Sequence, residues 1–168
     1  MANLLEEVVK ILEKIVKILE EKYGEEKVVS EILEDEDGIG TYYSEIAFIS
    51  VKGLDKDMER VVGRVGNALV YLQPFRNKNG EIKAFSIIVQ HERKEEEEYP
   101  SGDVERFSAT TLTDWIVSEK PMEVEVTYWK WCGEEEVEVW KTERRKTIPD
   151  KELFEKVRNL WQISQRRL

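Results

Sequence analysis

The period of hydrophobic and polar positions changes several times along the chain, and each change marks an element. The stretch Ala68 to His91 reads ALVYLQPF, then RNKNGE, then IKAFSIIVQH. Asn79-Gly80 between two apolar runs predicts a hairpin closed by a type I′ turn, with Lys78 facing Glu81. That turn pairs Phe75 with Ala84, Leu72 with Ile87, and Val70 with Val89. One face of the hairpin carries Val70, Leu72, Phe85, Ile87 and Val89. The other carries Leu69, Tyr71, Phe75, Ala84 and Ile88. A hairpin apolar on both faces needs cover on both, as a central strand pair does.

The N-terminal segment has helical period instead. Asn3 suits an N-cap with Glu6 three residues on, and Gly24 suits a left-handed terminator. Two apolar rows run along it: Leu4, Val8, Ile11, Ile15 and Ile18, and Leu5, Val9, Leu12, Val16, Leu19 and Tyr23. Together they are wider than a two-stranded coiled-coil seam. A helix lying across a sheet accounts for such a stripe. Residues 1–24 are also a candidate oligomerisation arm, packing on a second copy.

Between these landmarks the pattern is more mixed. Glu26–Leu33 fits a short helix or an edge strand, and Glu34–Gly40 a loop. Thr41–Gly53, rich in β-branched and aromatic residues, predicts a strand. Asp55 suits the cap of a helix to about Val65, ended by Gly66. Arg93–Asp103 reads as a polar loop, with a turn at Pro100-Ser101-Gly102 and four adjacent glutamates favouring local disorder. Thr111 or Thr113 opens a short helix ending before Pro121. Met122–Arg145 is a second hairpin, with Gly133-Glu134 as a type II′ turn pairing Trp131 with Glu136, Trp129 with Glu138, Tyr128 with Val139 and Glu123 with Arg144. Its predicted inner face is Val124, Val126, Tyr128, Val137 and Val139. Asp150 caps a final helix with the apolar row Leu153, Phe154, Val157, Leu160, Trp161 and Ile163.

The sum is a single α+β domain over residues 1–168. Its antiparallel sheet has about five strands, two hairpins plus one strand, covered by helices that are long at both termini. Charged residues make up 37% of the chain, against about 25% in an average protein. They are mostly Glu and Lys, with few Gln or Asn, a composition resembling that of proteins from hot environments. The net charge is −10, so nucleic acid is repelled except by a local basic face. Nine Lys and Arg against four Asp and Glu lie between Lys141 and Leu168, making that segment the candidate.

Candidate chemistry is sparse. On the second hairpin, Trp129, Trp131 and Trp140 are expected on one strand face among Glu125, Glu136 and Glu138. Large aromatics on a charged face mark a contact surface. The competing reading is that the C-terminal helix covers them through Trp161. Lys141, Arg144, Arg145, Lys146, Arg158, Arg166 and Arg167 form the basic cluster. They read as phosphate contacts or as partners for the acidic excess elsewhere. No helix-turn-helix, zinc or RNA-binding aromatic motif accompanies them.

His91 is the single histidine, and adjacent strand residues face oppositely, so Glu92 does not orient it. No nucleophile-elbow pattern surrounds Ser44, Ser86 or Ser108. Glu81-x-Lys83 recurs too often in this chain to signal a nuclease strand. Asp55 and Asp57 lack the further acidic ligands a cation needs. Gly38-Ile39-Gly40 and the Gly63/Gly66 pair lack the rest of a nucleotide loop. Cys132 stands alone, which excludes an internal disulfide and fits a reducing compartment. No apolar run is long enough for a membrane span and no leader pattern opens the chain.

The expectation is therefore a cytoplasmic, non-enzymatic protein-interaction module without cofactor or metal. It docks a protein partner or a second copy, as a homodimer, through Trp129, Trp131 and Trp140. The alternative is nucleic-acid binding through Arg144, Arg145, Lys146, Arg166 and Arg167.

Overall fold

The computed structural model describes residues 4–24, 27–35, 42–43, 46–57, 60–102, 104–131 and 136–166. Asn3, most of the loop at 34–40, Cys132, the Gly133-Glu134 turn and Arg167 lie outside them, as does the side chain of Trp131. The described chain runs α1 (Leu4–Tyr23), β1 (Lys27–Asp35), β2 (Tyr42–Tyr43), β3 (Ile46–Val51), β4 (Asp55–Lys56), β5 (Val61–Val65), β6 (Ala68–Arg76), β7 (Ile82–Glu98), β8 (Val104–Ser118), β9 (Glu123–Trp131), β10 (Val137–Lys146), β11 (Ile148–Pro149) and α2 (Lys151–Gln165). The class is α+β. The strands divide into an eight-stranded sheet, ordered β2-β1-β8-β7-β6-β4 with β5 also on β6 and β11 on β8, and a three-stranded sheet, β10-β9-β3. The pairings are antiparallel except β11 on β8.

The central hairpin has the register its pattern dictates: Phe75 faces Ala84, Leu72 faces Ile87, and Val70 faces Val89. Its turn is a different one. Gly80 N–H donates to Asn77 O at 3.0 Å and Asn77 N–H to Glu81 O at 2.9 Å. Only Gly80 has positive φ, so a type I′ turn at Asn79-Gly80 is replaced by a longer turn from Asn77. The Asn77 carboxamide oxygen accepts the backbone N–H of Asn79 and Glu81, which stabilises it. A register shift between Phe75 and Arg76 absorbs the extra residue.

The two hairpin faces pack against different layers, with Leu69 and Tyr71 of the second face half-buried and in neither core. Val70, Leu72, Phe85, Ile87 and Val89 join Leu12, Ile15 and Leu19 of α1 and Phe154, Val157 and Leu160 of α2 in one core. Phe75 and Ala84 join Ile49, Val51, Val124, Val126 and Tyr128 of the three-stranded sheet in a second core. The layers are thus helices, large sheet, small sheet.

Further sequence expectations are corrected, first the single sheet of about five strands, which among the described residues is eleven strands in two sheets. Residues 55–65 are not a helix but β4 and β5, which hydrogen-bond to β6. Val61, Val62 and Val65 favour a strand, and Gly63 disfavours a helix. Residues 111–118 are likewise strand β8, and the part of the Glu26–Leu33 segment within the described residues, 27–33, is strand β1 paired along β8. The expected loop is, over its described residues 93–102, the far end of a long hairpin, with Glu95–Glu98 paired to Val104–Phe107. Its turn is where Pro100-Ser101-Gly102 indicates, with Gly102 N–H bonded to Tyr99 O. The small sheet pairs Val139 with Trp129 and Val137 with Trp131, not Glu138 with Trp129.

Gly63 shows why a glycine interrupts β5. A Cβ there would lie 2.8 Å from Leu12 Cδ2, and Leu12 is fully buried, so it has no free volume to move into. Gly63→Ala should therefore destabilise by about 1–3 kcal/mol, the cost of overpacking, with Gly63→Val worse. Urea denaturation midpoints at or above wild type for both variants would overturn this account of the close approach.

The two helices are tied end to end. Asp150 Oδ1 accepts from Leu153 N–H at 3.0 Å as the N-cap of α2. Its Oδ2 accepts from Lys22 Nζ at 2.9 Å and Tyr23 O–H at 2.6 Å. Trp115 Nε1–H donates to Gly24 O at 2.9 Å, which fixes the end of α1 on β8. The Lys22 and Tyr23 hydrogen bonds hold the Asp150 carboxyl at about 2, below its ordinary 3.8. A depressed carboxyl stabilises the fold above its unfolded pKa and ceases to as pH falls through the folded one. Asp150→Asn keeps a cap but loses the charge. The stability gap between wild type and Asp150→Asn should thus be full near neutrality and close as pH drops below about 4 towards 2. Urea titrations across that range check it; a gap independent of pH would refute it.

Candidate functional site

The alternation of β9 decides what faces outward. Val124, Val126 and Tyr128 point into the second core, so Glu123, Glu125, Thr127 and Trp129 take the opposite face. Phe48 of β3 and Val139 of β10 flank Trp129 in register. The three make an apolar row across the outer face, with Val139 50% exposed. Phe48 and Trp129 stack with ring centroids 5.7 Å apart and planes at 20°. Trp129 Nε1–H is satisfied by Ser50 Oγ at 2.9 Å. Lys56 Nζ sits 3.9 Å from the Phe48 ring centroid. Burial, then the Arg60 charge, lowers the Lys56 pKa.

The rest of this face is polar and graded. Beside the row lie Ser50, Thr127 and Thr142, the last two with hydroxyls 3.2 Å apart. Beyond them, Glu125 faces Arg144 and Glu123 faces Lys146 across the strands, and Lys52 reaches Glu125 at 3.5 Å. Both neighbours of β9 are irregular at the level of Trp129. β3 shifts register between Ile46 and Phe48, and β10 between Val139 and Lys141.

Trp129 and Trp140 are not brought together on one face. The β10 bulge falls on Trp140, whose ring packs against the inner core edge-on to Tyr128, centroids 6.2 Å apart at 89°. Trp129 is on the outer face, partly exposed. Trp131, in the same strand as Trp129, pairs with Val137 of β10, and its side chain lies outside the described residues. The C-terminal helix does not cover this face: Trp161 and the apolar row of α2 lie in the core on the other side of the large sheet.

The basic cluster is also dispersed. Arg144 and Lys146 are exposed on the outer face, opposite glutamates. Arg145 turns inward and its Nη1 donates to Asp114 Oδ2 at 2.8 Å and to Tyr128 Oη at 2.9 Å. Arg158 pairs with Glu155 on α2, and Arg166 ends that helix. His91 is exposed, at a position paired with Ala68 and Thr111. Asp57 is engaged by Arg76 Nε at 3.0 Å, and Glu81 pairs with Lys83 at 3.7 Å. Among the described residues no group of His, Cys, Asp and Glu is arranged to hold a metal, and no helix is long and apolar enough to cross a membrane.

Reading the sequence alone overlooks the polar cluster between the sheets. Asp114, almost fully buried, accepts from Arg145 and from Tyr128 O–H at 2.9 Å, with Glu143 Oε1 3.2 Å from the same phenol. The signal was an acid alternating with Leu112 and Ile116, legible only once 111–118 is a strand. Burial first, then the Asp114 charge, pushes the Tyr128 hydroxyl far above its ordinary 10.0. The phenol donates to Asp114 and accepts from Arg145.

No protein-family model matches the chain, and no curated protein or solved structure matches it significantly.

Arg145→Leu strands a buried carboxylate and should cost about 3–5 kcal/mol, whereas adding Asp114→Leu should recover most of that loss. Urea unfolding of the single and double variants measures both. A single variant as stable as wild type would show that the pair is not holding the sheets together.

Proposed function

We propose that this protein is a non-enzymatic interaction module that self-associates as a homodimer through the outer face of its three-stranded sheet. The observation that carries the reading is the Phe48–Trp129–Val139 row, an apolar band on an otherwise hydroxylated and charged face. Aromatic residues with a polar handle are enriched where surfaces dock, and Trp129 keeps its handle satisfied by Ser50.

A second copy is the occupant the face best suits. A two-fold interface must be complementary to itself, so each patch needs both partners of every contact. This one has an apolar band that can meet its own copy. It also has Glu123 and Glu125 beside Lys52, Arg144 and Lys146, which can meet theirs with opposite sign. The strands flanking β9 are both bulged, and bulges blunt edge-to-edge strand pairing. Face-to-face packing is the geometry left to the small sheet. The phenol held protonated between Asp114 and Arg145 favours a structural part for that cluster over acid–base catalysis.

Nucleic-acid binding has less support, because Arg145 is engaged by a buried carboxylate and Arg166 lies on the helical side of the molecule.

Sedimentation equilibrium tests the proposal. Wild type should be a concentration-dependent dimer, and Val139→Glu, which places a charge on an already exposed position, should be monomeric with an unchanged circular dichroism spectrum. Trp129→Ala should weaken the dimer by about 2 kcal/mol or more, as a hot-spot truncation does. A wild type that stays monomeric at the highest soluble concentration, or a Val139→Glu variant that remains a dimer, would overturn it.

A further inference from the structure

On the opposite side of the molecule, α1 and α2 leave a groove of about 500 Å³ between them. Its floor is apolar: Ile11, Ile15 and Ile18 from α1, with Leu160 and Ile163 from α2. Ile15 and Leu160 belong to the core, while Ile11, Ile18 and Ile163 remain partly exposed. The rim is basic. Lys14 and Lys17 stand along α1 and Lys156 along α2, with Glu21 as the acid among the lining residues. All three lysines are exposed, and among the described residues none forms an ion pair. In a chain of net charge −10, the groove's lining carries three lysines against one glutamate, a local excess of positive charge around an apolar floor.

We propose that this groove is a docking site for an acidic amphipathic helix of a partner protein. The groove is partly open to solvent, so whatever fills it keeps one side in water. An acyl chain has no polar side to leave there, whereas an amphipathic helix does. Ile11, Ile15 and Ile18 follow one another at steps of four and three, over about 10 Å of α1. That length matches the apolar anchors of a two-turn helix at i, i+3 or i+4, and i+7. Such a helix with its apolar side on the floor carries its flanking residues over both rims. Glutamates there face Lys14 and Lys17 on one side and Lys156 on the other. Charge at the rim sets which helix docks and how fast; the isoleucine floor supplies the burial. The site is separate from the outer sheet face and does not depend on self-association there.

The test uses the full chain and two labelled synthetic peptides of about 14 residues, with leucines at helical anchor spacing. One has glutamates at the flanking positions and the other has lysines. Fluorescence anisotropy should show saturable binding of the acidic peptide that weakens with salt, and binding of the basic peptide at least about tenfold weaker. A Lys14→Glu/Lys17→Glu/Lys156→Glu variant, altered only at exposed positions, should keep its circular dichroism and urea midpoint. It should lose at least about tenfold in affinity for the acidic peptide. Equal binding of the two peptides, binding of neither, or an unchanged affinity in the triple variant would overturn the proposal. So would a wild-type dimer that the triple variant dissociates, since the groove would then hold a second copy.

Discussion

A strand pair apolar on both faces cannot lie on the surface of anything, and the rest of this chain is disposed around that fact. β6 and β7 present Val70, Leu72, Phe85, Ile87 and Val89 on one side and Phe75 and Ala84 on the other. Burial of apolar surface is the main favourable contribution to folding, so each side requires its own cover. A helix is about 10–12 Å across, and each strand adds about 4.8 Å to the width of a sheet. One helix therefore covers little more than two strands, and α1 needs α2 beside it. The gap between the two cylinders is the groove with the isoleucine floor. Cover for the other side comes from three more strands, and a strand layer has an outer face of its own. Both candidate interaction surfaces thus follow geometrically from one doubly apolar hairpin.

The sequence was most legible where a local signal and a long-range requirement agreed. The central register expected from a turn at Asn79-Gly80 is the one observed even though the turn type differed, because the apolar sets on β6 and β7 bury together in only one alignment. Both terminal helices were legible for the same reason: their stripes are long, and Gly24 and Asp150 punctuate them. Reading failed where the local signal pointed away from the tertiary outcome. Asp55 looks like a helix cap and Thr111–Ser118 looks like a capped short helix, yet both segments gain ladder hydrogen bonds from other strands, the first from β6 and the second from β7 and, at Thr111–Thr113, from the distant β1. Arg93–Glu98 looks like part of a solvated loop. Its backbone is nevertheless paired with β8, since charge on side chains does not prevent main-chain pairing at the end of a long hairpin. The Asp114 cluster was invisible for a derivative reason. Its partners come from three strands, and no spacing within one segment brings Asp114, Tyr128 and Arg145 together.

The second hairpin shows how little is needed to misassign a face. Its predicted register differs from the observed one by one residue near the turn, and by two beyond the bulge at Trp140. A one-residue slip sends every side chain of β10 to the other face. Val137 and Val139, expected inside, are therefore outside, while Trp140 turns in against Tyr128. The bulge then restores the alternation that carries Arg145 inward to Asp114 and leaves Arg144 outward. One inserted residue thus both completes the buried polar cluster and dissolves the apparent cluster of tryptophans and arginines.

What the bulge cannot change is β9. Tyr128 is committed to the inner core by its ring and by the hydrogen bonds of its hydroxyl to Asp114 and Arg145. In a regular strand its neighbour must then face the other way. No register of β3 or β10 brings Trp129 inside without expelling Tyr128 and leaving Asp114 and Arg145 short of a partner, which costs more than an exposed indole edge. Phe48 and Ser50 shelter Trp129 from one side, and Val139 leaves it open on the other. The outer apolar row is therefore the direct consequence of the buried polar cluster behind it, and a surface feature enforced from the core is a firmer basis for a docking face than an isolated exposed aromatic.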